Sequence, residues 1–260
     1  MPAAIVIASY NTHSGIGLDG RFVPLRIARV LGEVRADIVA LQELRTHASG
    51  FDMLDYLRGE SGHHAIAGPT VISAGSSFGN GLLTRFPLLS VKHISLDVAR
   101  REPRGAIDAV LDCGDGSKLR VIATHLGLKG GERREQVSRL LAAVRAGPDL
   151  PTVLLGDLNE WFLRRRALRW LHEHFGESPA RATFPSPLPL LALDRIWVSP
   201  AKCLRGVRAH RSRSARIASD HLPLVARIVL PSEWPARADE AVQRAQPAAA
   251  TPPSRRPARA

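Results

Sequence analysis

The sequence has little cysteine, few aromatic residues and no long apolar run. Among its 260 residues are only two cysteines, Cys113 and Cys203, and aromatic residues make up 5% of the chain. Two isolated cysteines exclude a disulfide framework and a cysteine-based zinc site, so we expect a reducing compartment. The apolar run near the amino terminus is about one strand long and no basic segment precedes it. We therefore predict neither a signal peptide nor a transmembrane segment, and a cytoplasmic protein.

Acidic residues are scarce relative to basic ones. The chain has 36 Lys and Arg residues against 24 Asp and Glu residues, which gives a formal net charge of +12. Such a charge attracts phosphates, nucleic acid and anionic lipid, and arginine in particular can bind phosphate through two hydrogen bonds. A GC-rich genome also enriches arginine, so the basicity alone does not identify a ligand.

The composition divides the chain into two parts. Residues 1–231 have the length and apolar content of one large domain. Residues 232–260 consist mainly of Ala, Pro, Arg and Gln, with no large aromatic residue beyond Trp234. Such a segment cannot bury enough surface to order itself, so we predict a disordered tail. The tail has five arginines and three acids, which leaves about +10 of the charge in the domain.

Runs of β-branched residues alternate with amphipathic segments of helical spacing. Between residues 64 and 126, short strands at regular intervals predict an antiparallel meander. The order of elements indicates a layered domain with helices covering its sheets. We predict strands at 3–10, 37–42, 80–85, 88–96, 105–112, 118–125, 152–155, 194–198 and 222–230, and helices at 22–35, 51–59, 132–146 and 165–175.

One buried strand ends in a short polar motif. Thr152 to Leu155 is an apolar run, and Gly156 is expected to end it directly before Asp157 and Asn159. Side chains two residues apart on an extended segment point the same way, so Asp157 and Asn159 can face one ligand. The alternative is an Asx turn that only stops the strand.

Similar polar residues recur at the ends of other predicted strands, where many folds place their ligand sites. A single strand-end acid, amide or histidine has a structural explanation, but a whole ordered series favours a shared site. The series consists of Asn11, Gln42-Glu43, Thr124-His125, Gly156-Asp157-Leu158-Asn159, Asp194 and Ser219-Asp220-His221.

This ordered series resembles the endonuclease/exonuclease/phosphatase superfamily of metal-dependent phosphoesterases. The resemblance runs from Ile5 to about Leu230 and is greatest to small bacterial members of unassigned substrate. It implies an α/β fold, a four-layer sandwich in which two mixed, mostly antiparallel sheets pack face to face with helices on both outer faces. It also implies a catalytic domain at 1–231 with its site at one end of the sandwich.

Hydrolysis of a phosphodiester requires neutralised phosphate charge and an oriented water. Glu43 offers a hard oxygen ligand suited to Mg²⁺, for which Mn²⁺ can substitute, and the resemblance adds Asn11 and Asp220 to the metal site. It implies that Asp157 orients and deprotonates the water, or ligates a second metal, while Asn159 holds water or phosphate beside it.

The histidines complete the implied catalytic set. His221 can donate to a phosphate oxygen or act as a base, since imidazole titrates near neutrality, and Asp194 is expected to orient its ring. His125 is expected to contact phosphate or to protonate the leaving group. Asn80 and Arg104 are weaker candidates for phosphate binding, because Gly-Asn-Gly is also an ordinary turn signal.

Departures from individual branches bear on the substrate. His125 stands where abasic-site endonucleases typically have tyrosine, and their tryptophan-rich first motif is absent. The arginines at 164–169 and 205–216 can follow a polyanion backbone, or form a solvated basic face. Trp161 is a candidate for base stacking.

We therefore predict a Mg²⁺-dependent phosphodiesterase that acts on DNA or RNA as a monomer. The first alternative is a phospholipid headgroup phosphodiesterase, or a phosphomonoesterase, with the same site, which would have anionic phospholipid as its partner. The second is a catalytically silent phosphate-binding module. The intact acid, amide and histidine set argues against that second alternative.

Overall fold

The computed structural model describes residues 4–47, 50–73, 75–162, 165–231 and Trp234. In these residues the strands form two sheets, of six and five strands. The six-stranded sheet contains β1 (Ile5–Asn11), β2 (Ile38–Thr46), β3 (His64–Ser73), β4 (Ser76–Thr84), β10 (Leu204–Ala209) and β11 (Leu224–Ile228). The five-stranded sheet contains β5 (Leu88–Ser95), β6 (Gly105–Asp112), β7 (Lys118–His125), β8 (Thr152–Asp157) and β9 (Asp194–Ser199).

Each sheet contains one parallel pair among otherwise antiparallel strands. The order of the first sheet is β10-β11-β1-β2-β4-β3, with β1 and β2 parallel. The order of the second is β5-β6-β7-β8-β9, with β7 and β8 parallel. Two parallel strands carry their carboxyl ends to the same edge of a sheet. Each sheet therefore brings the carboxyl ends of two strands to one end of the sandwich, and Asn11 at the end of β1 contacts Asp157 at the end of β8. We call this end of the sandwich the catalytic edge.

Five α-helices cover the outer faces of the sheets in the described residues, and two short 3₁₀ helices, His13–Gly15 and Ala201–Cys203, lie in connections. Pro24 suits the first turn of its helix because the missing N–H would have no partner there. The Asp52 carboxylate caps the next helix by accepting from Asp55 N at 2.9 Å. The helices are α1 (Pro24–Val34), α2 (Met53–Ser61), α3 (Gly130–Ala146), α4 (Arg166–Phe175) and α5 (Ala215–Ala218).

The three large apolar cores of the described residues follow from the alternation of side chains along the strands. Ile7 and Ile38 face Val121 and Val153 in the core between the sheets. The opposite face of the first sheet packs on α1, α2 and α5. The opposite face of the second sheet packs on α3 and α4. The four-layer α/β sandwich implied by the family resemblance is confirmed.

The structure also corrects several expected elements. The sequence pattern did not predict β3, β10 or α5. The expected meander holds only for β5, β6 and β7, because β4 pairs with β2 and β3 in the other sheet. Gly156 does not end its strand: it pairs with Thr124 and Arg195, and β8 continues through Asp157.

None of the helices in the described residues is long and apolar enough to span a membrane. The cytoplasmic location stays a prediction. The predicted tail at 232–260 lies outside the described residues, apart from Trp234, whose indole Nε1 donates to Asp149 O at 2.5 Å.

Gly156 is a site at which a side chain would separate two strands. It has a φ of 152°, and a Cβ atom added there would lie 1.8 Å from the carbonyl oxygen of Thr124 on β7. We expect Gly156→Ala to lower the free energy of unfolding by about 2 kcal/mol or more, because β7 and β8 must move apart. Urea denaturation measures the change.

Gly32→Ala is the matched control, because a Cβ atom at this α1 position meets nothing within 4 Å. We expect it to stabilise the protein by up to about 1 kcal/mol, owing to the higher helix propensity of alanine. Equal destabilisation by the two substitutions would contradict the role assigned to the close contact at Gly156.

Candidate active site

Polar side chains close the inter-sheet core at the catalytic edge. Asn11 continues the inward-facing row of Ile5 and Ile7 on β1. In the same way Asp157 follows Val153 and Leu155 on β8. His125 on β7 and Asp194 at the start of β9 obey the same alternation. The two-residue period that builds the core therefore also directs these four side chains to one place.

Glu43 joins this cluster through an irregularity of β2 and not through regular strand alternation. On a regular β2, Ile38 and Ala40 would make Gln42 the inward residue and turn Glu43 away. Instead the β2–β4 register shifts between Leu41 and Leu44, and Glu43 has a left-handed φ of 58°. This β-bulge redirects the Glu43 carboxylate towards Asn11, whose Nδ2 donates to Glu43 Oε1 at 2.9 Å.

The Asp157 carboxylate lies at the centre of the cluster. Its Oδ1 accepts from the backbone N–H of Asn159 at 2.8 Å. Its Oδ2 accepts from Asn11 Nδ2 at 3.1 Å and lies 3.6 Å from His125 Nε2 and 3.7 Å from His221 Nε2. Oδ1 is thus committed to the local turn, and Oδ2 faces the other site residues.

The Asx turn that the sequence left as an alternative is therefore present together with the cluster. Asn159 has a left-handed φ of 51°, so Asp157 and Asn159 do not share one extended segment as the spacing predicted. Asn159 Nδ2 instead reaches the carbonyl of Leu126 at 2.9 Å and His125 Nε2 at 3.0 Å. Asn159 lies beside Asp157 because the chain turns at this point, and not because of strand alternation.

His221 is held by Asp194, as the family resemblance implied. Its Nδ1 lies 2.8 Å from Asp194 Oδ2, which also accepts from Thr183 Oγ1 at 2.6 Å. Burial opposes the charged ring, but Asp194, Asp157 and Asp220 outweigh it and raise the pKa of His221 to about 10. The ring is therefore an imidazolium at neutral pH, with Nε2 directed to Asp157.

His125 has the opposite electrostatic environment. Arg104 Nη1 lies 3.2 Å from its Nδ1, and the ring is buried. Burial and the positive charge of Arg104 lower the pKa of His125 to about 3, despite the opposing charge of Asp157. A neutral ring favours the phosphate contact over proton donation, the two roles implied for this residue.

Asp220 lies at the open side of the cluster. Its Oδ1 lies 3.3 Å from Ser219 Oγ and 4.0 Å from His13 Nδ1, and its side chain is 32% exposed. Ser219 Oγ also donates to Asn11 O at 2.8 Å, which ties the two strand ends together. Burial and the carboxylates of Asp220 and Asp157 raise the pKa of Glu43.

The two weaker candidates lie beside the cluster with their donors partly committed. Asn80 Nδ2 donates to Gly105 O at 3.0 Å, between the two sheets. Arg104 Nη2 donates to Glu102 Oε2 at 3.0 Å, while its buried Nε has no hydrogen-bond partner. Phosphate binding by Asn80 and Arg104 stays a prediction.

Several site neighbours were not found by sequence reasoning. His13 belongs to no motif that the sequence marks, yet its Nδ1 lies 4.0 Å from Asp220 Oδ1. Thr183 contacts Asp194, and the Phe184 ring lies 4.9 Å from the His221 ring between centroids. Thr183 and Phe184 come from the Pro-rich 182–191 segment, which has no acid or histidine to mark it.

The donor set can be tested against the divalent cation that the fold family uses. The described residues contain no assembled cluster of three His, Cys, Asp or Glu side chains arranged around a metal position. Mg²⁺, however, needs only one or two carboxylates and retains several waters. Asn11 bridges Glu43 and Asp157, and Asp220 lies close enough to raise the pKa of Glu43. The carboxylate oxygens of Glu43 and Asp220 fit a magnesium-like ion, while Asn11 presents Nδ2 to Glu43 and its Oδ1 accepts from His13 N at 3.0 Å.

Comparison with known proteins identifies the protein family to which the chain belongs. The sequence model of the Endonuclease/Exonuclease/phosphatase family matches residues 8–221, and the chain belongs to that family. The family consists of phosphoester hydrolases that typically depend on a divalent metal, and it includes nucleases and phosphatases.

Individual proteins are similar to this chain in sequence or in fold. The uncharacterized protein YbhP of Escherichia coli strain K12 is 29% identical over 244 residues, covering 86% of this chain and 96% of YbhP. The fold is similar to that of an endonuclease/exonuclease/phosphatase from Beutenbergia cavernae, with a TM-score of 0.75 and 23% identity over 87% of this chain and 72% of that one. The mannosyl-6-phosphatase Bt3783 of Bacteroides thetaiotaomicron gives 0.73 and 18% identity, over 87% of this chain and 100% of that one.

Proposed function

We propose that the chain hydrolyses phosphodiesters with Mg²⁺, or Mn²⁺ as a substitute, by direct attack of an activated water. The observation that supports this proposal is the position of Asp157 Oδ2. It lies within 3.1 Å of Asn11 Nδ2 and within 3.7 Å of both His125 and His221 Nε2. One carboxylate oxygen is thus surrounded by an amide, a neutral ring and an imidazolium, which suits a base beside a bound phosphate.

Each of the site residues has a separate role in the proposed reaction. Asp157 Oδ2 accepts the proton of the attacking water as its oxygen bonds to phosphorus, while Asn159 N–H fixes the other carboxylate oxygen. The His221 imidazolium, oriented by Asp194, donates to a non-bridging phosphate oxygen as negative charge develops there. The phosphorus–oxygen bond to the leaving group breaks as the new bond forms. Glu43 and Asp220, with Asn11 beside them, would hold a divalent cation, which would supply further neutralisation of the phosphate and of the charge on the departing oxygen.

The substrate is proposed at the level of a phosphodiester, with two candidate classes. The basic sequence favours nucleic acid. Of its arginines, Arg211, Arg213 and Arg216 are exposed in the connection that follows the β10 end at the catalytic edge. Arg205 lies at the opposite end of β10 and is not part of that surface. A phospholipid headgroup is the alternative and is favoured by exposed apolar side chains near the site, such as Leu188 and Leu190.

A small soluble substrate tests the chemistry without a choice of substrate class. We expect bis(p-nitrophenyl) phosphate to be hydrolysed in the presence of Mg²⁺, to be stable after EDTA treatment, and to be hydrolysed again on addition of Mg²⁺ or Mn²⁺. Release of p-nitrophenol measures the rate. Turnover that persists at the same rate in EDTA would contradict the metal-dependent mechanism.

Glu43 gives a separate test of the metal site. We expect Glu43→Gln to weaken Mg²⁺ binding in isothermal titration calorimetry by at least about tenfold, since even changes in partners of metal ligands typically cost 10–100-fold. Glu135→Gln is the control, because Glu135 is an exposed partner of Arg139 on α3. Equal Mg²⁺ affinity of the two variants would exclude Glu43 as a ligand.

A further inference from the structure

Exposed apolar side chains lie in the connections that carry residues of the candidate active site. Leu188 is 68% exposed, Leu190 71% and Phe162 60%. Large apolar side chains with this exposure usually mark an interaction surface when they are grouped. We call the group the apolar rim; it consists of Leu128, Trp161, Phe162, Leu188, Leu190 and Ile217.

The first half of the apolar rim lies in the connections that follow β7 and β8 of the second sheet. Leu128 comes three residues after His125, and Trp161 two residues after Asn159. The buried Arg133 side chain holds these two connections together. Its Nη1 donates to Leu128 O at 2.7 Å and its Nε to Glu160 Oε2 at 3.0 Å.

The second half lies on the other side of the site. Leu188 and Leu190 belong to the segment whose Phe184 ring lies against His221. Within that segment Ser186 N donates to Asp220 O at 2.7 Å. Ile217 lies in α5, three residues before Asp220. Both halves are therefore fixed to residues of the candidate active site.

Arginines accompany the apolar rim. The Arg165 guanidinium lies 4.8 Å from the centroid of the Phe162 ring. Arg216 Nη1 donates to Pro187 O at 3.2 Å, next to Leu188, and Arg211 and Arg213 are exposed in the same connection. An exposed surface that combines apolar side chains with arginines is complementary to an anionic lipid interface.

We propose that the apolar rim docks onto an anionic phospholipid surface and that the scissile phosphodiester belongs to a lipid headgroup there. The inference rests on the proposed function, because the same site must act on the phosphate. Nucleic acid explains the rim less well, since four of the six residues (Leu128, Leu188, Leu190 and Ile217) are aliphatic. Base stacking uses aromatic faces, whereas leucine and isoleucine gain free energy by entering the boundary of headgroups and acyl chains.

Vesicle sedimentation with the full-length protein tests the docking. Vesicles of phosphatidylcholine alone are compared with vesicles that also contain phosphatidylglycerol, without added divalent cation so that binding is measured apart from turnover. We expect phosphatidylglycerol to retain the protein, and higher salt to weaken retention because the arginine contribution is screened. We expect Leu188→Ser with Leu190→Ser to weaken retention by about tenfold or more.

The control variant has two apolar residues of β5, outside the apolar rim, replaced by serine. Leu88 and Val91 are exposed apolar residues of β5, which forms an edge of the second sheet. We expect Leu88→Ser with Val91→Ser to leave vesicle retention unchanged. Thermal unfolding confirms that both double variants are folded. Independently, the tryptophan emission of the wild-type protein should shift to shorter wavelength on vesicle addition, and Trp161→Phe should remove that shift.

Three results would overturn the inference. They are failure of the wild-type protein to bind phosphatidylglycerol vesicles, equal binding of the two double variants to them, and a loss of affinity by the Leu188→Ser, Leu190→Ser variant only for a single-stranded oligonucleotide in a gel-shift assay. The last result would assign the surface to nucleic acid. Failure to hydrolyse bis(p-nitrophenyl) phosphate is separate, because it overturns the proposed function and leaves the vesicle result to stand as an interaction surface.

Discussion

Asp157→Asn is expected to reduce kcat for bis(p-nitrophenyl) phosphate by about a thousandfold, while the fold stays intact. The amide keeps the size of the carboxylate and can still accept from Asn159 N–H, as Asp157 Oδ1 does at 2.8 Å. It cannot take the proton from the attacking water, and loss of a general base typically costs about 10²–10⁴-fold. Steady-state kinetics in saturating Mg²⁺ measures the effect.

Asp115→Asn is the matched control for this substitution. Asp115 is exposed in the turn between β6 and β7 and has a left-handed φ of 51°, a conformation that asparagine also tolerates. We expect its kcat to equal that of the wild-type protein. If Asp157→Asn retained a tenth or more of the wild-type kcat with normal Mg²⁺ affinity, another group would have to be the base.

Asp108→Asn is expected to lower the free energy of unfolding by about 3 kcal/mol or more. Asp108 forms a two-point ion pair with Arg120, with Nε–Oδ1 at 2.8 Å and Nη2–Oδ2 at 2.6 Å, and the Arg120 side chain is only 1% exposed. The substitution leaves the guanidinium charge buried without its counter-ion. Arg120 also donates to Ala143 O and Val144 O near the end of α3, so the pair anchors that helix to β7.

An exposed ion pair of the same residue types provides the control. Arg58 Nη2 lies 2.8 Å from Asp55 Oδ1 on α2, with both side chains more than half exposed. We expect Asp55→Asn to change the free energy of unfolding by less than about 1 kcal/mol. Urea denaturation of both variants gives the comparison. Similar small changes in the two variants would show that burial does not strengthen the Asp108–Arg120 pair.

Much of the fold follows from local patterns. The apolar period of α1 and the β-branched runs of β7 and β8 are strong enough to place these elements to within a few residues. The elements that escaped prediction have weaker signals. β3 includes Gly68 and Pro69, which are unfavourable in regular strands. α5 is four residues long and its apolar contacts come from the whole layer beneath it.

The site residues also divide into those that the sequence predicts and those that only the structure reveals. Asn11, His125, Asp157 and Asp194 could be predicted from the sequence because each is the polar residue at one end of an alternating strand. Thr183 and Phe184 could not, since only the path of the 182–191 segment brings them to Asp194 and His221.

By itself, the sequence determined which residue types stand at the strand ends, and hence the metal-dependent phosphoester chemistry of the family. The tertiary structure alone decided how the side chains meet. Strand alternation would turn Glu43 away from the site, and the bulge in β2 with its left-handed φ brings it to Asn11. His221 is an imidazolium because the nearby carboxylates, above all Asp194, raise its pKa against the effect of burial. His125 is a neutral ring because burial, together with the positive charge of Arg104, lowers its pKa. Those differences arise from contacts between residues far apart in the chain, which no local pattern encodes.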